Sequence, residues 1–281
     1  MRRLPLANFR WANLLMMIGG LFCASALQAM TLEGDYTQGG MLMGQVQPGD
    51  RVLLDGQPVQ VSGQGRFLLG FGRDEALRHE LLIQRKDGSQ ERLQIALSKR
   101  DYRIQRIDGL PPGKVTPPKQ NWERIKAETA LVKQARKLKD DREDFLSGFI
   151  WPTQGEISGV YGSQRVLNGN PRRPHFGVDI AAPVGTLVRA PADGVVTLTH
   201  DDMFYSGGTL IIDHGLQLSS SFLHLSKILV KPGQRVKQGD PIAEVGATGR
   251  VTGAHLDWRM NLGSARIDPQ LLVPPMPQKE R

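Results

Sequence analysis

Gly253-Ala254-His255-Leu256-Asp257-Trp258 is the stretch around which the C-terminal half of this 281-residue chain is organised. Alternate side chains of a β-strand share a face, so His255 and Asp257 point one way while Leu256 points into the core. Their Cβ atoms stand roughly 6–7 Å apart, which lets one group hold a metal while the other touches a substrate or a water on it. Upstream, His175-Phe176-Gly177-Val178-Asp179 supplies a second imidazole and carboxylate, and Phe222-Leu223-His224-Leu225 a third imidazole. One His-x-Asp in a strand is commonplace. Three histidines and two carboxylates in one half of a chain point to a hydrolytic metal site.

The rest of the chain narrows the function classes. Its net charge of +8 and pI near 9.8 suit nucleic acid, an anionic membrane surface or an acidic polymer. With aromatics at 6% and no dense Lys/Arg block interleaved with them, nucleic acid ranks last. Residues 1–29 read as a secretory signal: Arg2, Arg3 and Arg10 precede an apolar run from Leu14 to Leu27, and cleavage fits after Ala26 or Ala29. The run is short for a membrane span, which leaves an uncleaved anchor as the alternative. Cys23 is the only cysteine and leaves with the signal, so a metal must be held by His, Asp or Glu.

Residues 30–107 read as an all-β domain of immunoglobulin-like type, with Asp55-Gly56 as a hairpin turn and His79 in a solvated loop. Residues 108–148 follow as a linker. Pro111-Pro112-Gly113 and Pro117-Pro118 open it, and a charged helix runs from Asn121, a suitable N-cap, towards Phe145. Ile125, Thr129, Val132, Ala135 and Leu138 give that helix one apolar stripe. Residues 149–275 return to short strands and dense turns, and 276–281 form a tail. No helical pattern alternates with these strands, so a doubly wound sheet is disfavoured and the fold class is mainly β. The segments Val184–Val196 and Val230–Ile242 echo one another loosely, as in lipoyl-type carrier barrels. No Lys-bearing hairpin tip accompanies them, and the histidines would go unexplained.

His175 and Asp179 are too far apart on a flat strand to share an ion, at roughly 13 Å between Cα atoms. Pro174 and Gly177 permit the bend that would bring them together. The order His-x3-Asp, then Phe222-Leu223-His224-Leu225-Ser226, then Gly246 to Trp258 resembles the lysostaphin/LytM-type zinc metallopeptidases, which cleave peptides of bacterial peptidoglycan. Tyr161-Gly162, Ala190-Pro191-x-Asp193-Gly194 and Asp213-His214-Gly215 agree, and the resemblance covers roughly residues 150–273.

The resemblance implies a C-terminal antiparallel β-sandwich or barrel of the duplicated hybrid motif type. It implies zinc, or another divalent metal, on His175 and Asp179, with His224 and His255 as catalytic partners. Arg165 and Asn168, on the loop before the first ligand, fall where the family borders its substrate groove. Arg172 and Arg173 suit peptide carboxylates or simple solvation. His214 reads as structural and His200 as an exposed loop residue. Where the family has His-x-His, this chain has His255-Leu256-Asp257, so two expectations compete. Asp257 is the third ligand of a metal-dependent peptidoglycan endopeptidase exported to a Gram-negative periplasm. Alternatively, the site is degenerate, and the domain binds peptidoglycan or activates a cell-wall amidase or divisome partner.

Overall fold

The computed structural model describes residues 30–108 and 121–277. The expected leader with its expected cleavage sites, both Pro-rich motifs and the last four residues lie outside the described residues. The chain is mainly β, with Trp122–Ala135 the one α-helix among the described residues. No described helix is long and apolar enough to cross a membrane.

Two small antiparallel sheets precede the linker. Leu32–Gly34, Met41–Gln45 and Arg66–Gly70 make one; Gln57–Val59, Arg51–Leu54, Arg78–Gln84 and Gln90–Ala96 make the other. Leu54 pairs with Gln57 across the Asp55-Gly56 turn, with φ of +49° and +76° at the two turn residues. Those are the two left-handed positions a tight primed turn demands. Leu42, Phe67, Leu81 and Ile83 fill the core of this unit. His79 is not in a solvated loop; it is 4% exposed within Arg78–Gln84. Strand alternation turns it away from its charged neighbours, and its ring nitrogens lie 2.6 Å from Asp55 Oδ2 and 2.8 Å from Ala76 O.

The linker helix stops well short of Phe145, at Ala135, and Asn121 at its N-cap makes no side-chain capping bond. Beyond it, Asp140 accepts from both the backbone N–H and the guanidinium of Arg142, a local pairing that competes with helical hydrogen bonds.

The C-terminal unit is built on an eight-stranded antiparallel sheet. Arg235–Val236, Gly194–Met203, Gly207–Asp213, Leu218–Leu225, His255–Leu262, Val178–Ala181 and Glu156–Gly159 lie side by side, and Ala265–Ile267 hairpins onto His255–Leu262. A smaller sheet of Leu187–Arg189, Pro241–Glu244 and Lys227–Ile228 brings Val188, Ile242 and Ala243 into one core with Leu210, Phe222, Leu256 and Trp258. Burying a side chain of this kind contributes about 1.5–3 kcal/mol, so this face fixes the strand register. His200 belongs to Gly194–Met203, opposite Thr209, and is half-buried there; the paired hairpin extends further than its Asp201-Asp202 neighbours suggest.

Alternation sends Ile211, Ser219, Ser221, Asp257 and Asn261 to the opposite face of the large sheet. These side chains are also buried, and the chain leaving the linker helix reaches this side of the sheet. Arg136 Nη2 donates to Ser221 Oγ at 2.8 Å, and the Arg142 guanidinium donates to the Asp213 carboxylate. Several contacts join the units, the Arg100–Asp268 ion pair and the bond from Arg73 Nε to Gly162 O among them. Leu68 packs into the C-terminal core, and Ile104–Ile107 pairs in parallel with Gln164–Leu167, the strand just ahead of His175.

Candidate functional site

Between Pro174 and the strand Val178–Ala181 the chain turns so that His175 Nε2 comes to 3.2 Å from Asp179 Oδ1. The segment is anchored on the preceding hairpin, with His175 N donating to Ser163 O and Gly162 N to His175 O, both at 2.8 Å. Glycines make room for it. A Cβ at Gly177 would sit 2.5 Å from Trp258 O and 2.8 Å from Asp257 Oδ1, and one at Gly159 would sit 2.2 Å from Asp179 Oδ2. Both positions are therefore restricted by close approach, not by backbone conformation.

Strand pairing supplies the third group. Asp257 lies directly across the ladder from Asp179, and also directly across from Leu223 on its other side. One donor atom from each of His175, Asp179 and Asp257 lies within 4.8 Å of the others. Like charges facing one another across a ladder are destabilising, and more so when one of them is 2% exposed. A cation must therefore balance them. The protein provides one: Arg259, two positions along the same strand face, grips Asp257 with Nε at 2.9 Å from Oδ1 and Nη2 at 2.5 Å from Oδ2. Burial pulls the Asp257 pKa up, but the guanidinium outweighs it and holds the carboxyl below its ordinary value. Asp179 has no such partner. Its Oδ1 and the facing His175 Nε2 are buried without a hydrogen bond in the protein.

Two further imidazoles border this cradle, with ring centroids 4.9 Å apart. His224 Nδ1 donates to Thr248 O and His255 Nδ1 to Gly253 O, each at 2.9 Å. A carbonyl can only accept, so both rings carry a proton on Nδ1 and turn Nε2 inward. His224 Nε2 lies 4.0 Å from Asp257 Oδ2, and His255 Nε2 lies 3.8 Å from Asp179 Oδ1. His224 reaches this position at a left-handed φ of +67°, a conformation rare for a residue with a Cβ. Burial lowers its pKa more than the nearby Asp257 raises it, so the ring is neutral near pH 7.

The structure thus brings together His175, Asp179, Asp257, His224 and His255. Arg165 is exposed on Gln164–Leu167, and its backbone carbonyl accepts from Arg172; Asn168 holds the following turn at φ +48°. His214 is fully buried at the end of Gly207–Asp213, between Asp193 O and the Ser220 hydroxyl. Sequence reasoning missed Arg259. The signal was present, since positions 255, 257 and 259 of one strand necessarily share a face.

Comparison with known proteins fits this geometry. Residues 173–269, which contain all five groups, match the model of Peptidase family M23. Peptidoglycan DD-endopeptidase ShyA of Vibrio cholerae is 48% identical over 87 residues, 31% of this chain and 20% of that protein. ShyC of the same organism, also a peptidoglycan DD-endopeptidase, is 39% identical over 120 residues, 40% of this chain and 28% of that protein. The chain therefore spans only between a fifth and about a quarter of these relatives. A crystal structure from Pseudomonas aeruginosa, assigned to peptidase M23, superimposes with a TM-score of 0.66 at 29% identity and covers 85% of this chain and 95% of that one. The C-terminal unit of this chain is a peptidase M23 domain.

Proposed function

We propose that the protein is a metal-dependent endopeptidase that hydrolyses peptide bonds of peptidoglycan, exported by its basic, apolar leader to the periplasm. One observation carries the metal: His175 Nε2 and Asp179 Oδ1 face each other at 3.2 Å, both buried and neither hydrogen-bonded. Two acceptor-capable atoms so placed, neither hydrogen-bonded in the protein, suit a cation between them. An imidazole with two carboxylates is a donor set that zinc accepts, and harder divalent ions accept oxygen donors more readily still. Bound by His175, Asp179 and Asp257, such an ion supplies Lewis-acid polarisation of the scissile carbonyl and acidifies a water.

The chain's own residues account for the proton traffic. As a water oxygen bonds to the amide carbon, Nε2 of His224 or His255 takes its proton, and the same proton passes to the departing amine nitrogen as the C–N bond breaks. The backbone bonds at both Nδ1 atoms keep the rings in the tautomer this requires. Arg165 and Asn168, on the hairpin that holds His175, are assigned to substrate contact. The test pairs metal analysis of the purified full chain with digestion of isolated peptidoglycan. Stoichiometric divalent metal and chelator-sensitive release of peptides are expected.

A second reading rests on the Asp257–Arg259 pair. A guanidinium that already satisfies the third carboxylate suits a site that binds wall peptide, or activates another hydrolase, without cutting. Absence of metal and of cleavage, together with retained binding to peptidoglycan, would select it.

A further inference from the structure

Four arginines from four separate segments converge on the covered face of the large sheet, beside the cradle. Arg259 is directly across from Ser221 on the ladder, and Ser221 carries the bond from Arg136. Arg266 is directly across from Asn261, one same-face step further along, and Asn261 in turn faces Ser219. Arg173 and Arg266 both approach the Phe176 ring, each with Cζ at 5.5 Å from its centroid. Arg259 has Asp257. Among the described residues no carboxylate oxygen lies within 4.0 Å of the Arg136, Arg173 or Arg266 guanidinium nitrogens.

Such an arrangement is costly as it stands. Burial first, and then the charges of the neighbouring guanidiniums, push Arg136 down to about 9 and Arg266 down to about 10. Polar atoms beneath them are also unmatched. Arg136 Nε, the Ser219 hydroxyl and Asn261 Oδ1 are buried with no hydrogen-bond partner in the protein, and Ser219 and Asn261 are 2% and 1% exposed. Two of these can donate and one can accept, the complement of a carboxylate followed by a peptide N–H.

We propose that Arg136, Arg173, Arg259 and Arg266, with Ser219 and Asn261, form a subsite for a carboxylate of an acidic peptide, so that this protein selects peptides bearing a free carboxylate near the reacting bond. The assignment rests on the peptidase reading for its substrate class. Steps along a strand give its reach: the rungs at 259 and 261 lie roughly 7 and 13 Å from Asp257, or two to four residues of extended peptide from the cradle. Arg173, the exposed member, marks the open side of the subsite.

The test is calorimetric binding to the full chain in the presence of chelator, where no turnover occurs. The probes are a synthetic stem tetrapeptide with free carboxylates and the same peptide fully amidated. Wild type is expected to bind the free acid at least tenfold more tightly. Arg266→Gln is expected to lose about tenfold for the free acid and less than twofold for the amide, and Arg266→Lys to keep most of the preference. Should Arg266→Gln unfold early, Arg173→Gln on its exposed site decides by the same comparison. Equal affinity of wild type for the two peptides would overturn the subsite, as would equal losses for both in a folded variant. Tighter binding of inorganic phosphate than of the free acid would overturn the carboxylate assignment. Failure of the peptidase reading appears elsewhere, as absence of cleavage in metal-loaded protein, and leaves this comparison intact.

Discussion

Replacing Arg259 with Gln separates the two cations that can serve Asp257. Removing one partner of a buried ion pair costs about 3–5 kcal/mol when the other is left unpaired. The Arg259 side chain is 24% exposed, so solvent screens part of the pair and about 2–3 kcal/mol is the expected loss in metal-free protein. For a chain of this size that lowers Tm by about 5–10 °C. Zinc should restore what the arginine supplied: at about one hundred times its Kd, an ion that binds only the folded state adds about 2.7 kcal/mol. In wild type the ion has to share Asp257 with the guanidinium, so its gain is smaller. Urea unfolding of both proteins, in chelator and in zinc, measures all four stabilities, and calorimetry gives the zinc affinities directly. The reasoning fails if R259Q is as stable as wild type in chelator, or if zinc stabilises the two proteins equally.

Three other outcomes follow from the same geometry. His224→Ala and His255→Ala should each lower peptide release from peptidoglycan by about 10²–10⁴-fold while leaving metal content unchanged, since neither ring is assigned as a ligand; loss of metal in either variant would move that residue into the ligand set. Gly177→Ala places a Cβ 2.5 Å from Trp258 O and 2.6 Å from Arg259 Cγ, so a loss of about 1–3 kcal/mol and weaker zinc binding are expected from melting and calorimetry. His214 is buried neutral with its pKa lowered to about 4 by burial, against 6.5 in the unfolded chain. Its contribution is therefore complete above about pH 6.5 and falls as pH drops towards 4, by about 3 kcal/mol in all. The stability difference between wild type and His214→Gln should shrink over that window, and a constant difference would refute the assignment.

Much of this was legible in the sequence. Alternation around Leu256 and Trp258 gave the strand and its inward face, and Asp55-Gly56 gave a hairpin whose backbone obeys the expected turn. The bend at Gly177 was legible as a possibility, although its closeness to Trp258 depends on a partner strand eighty residues away. Charge was the poorer guide. His79 and His200 looked solvated because their neighbours are charged, yet alternate positions of a strand have different surroundings. The linker pattern overstated the helix because side-chain bonds at Asp140 compete with it locally. Arg259 is the less legible member because the metal-ligand spacing ends at Asp257, whereas the face of the strand continues for another two residues.

The parallel pairing of Ile104–Ile107 with Gln164–Leu167 has a kinetic consequence. The large C-terminal sheet is dominated by antiparallel neighbours, many joined through short turns, and such contacts close early in folding. This ladder instead closes a loop that runs through the whole linker, at a sequence separation that makes it slow to form. It is therefore expected to form late, together with the pairing of Val178–Ala181 with His255–Leu262, whose partners lie further apart still. Because Gln164–Leu167 leads into the hairpin that anchors His175, the late steps of folding are also those that set the cradle. A chain arrested before them would hold formed hairpins and an unfinished site.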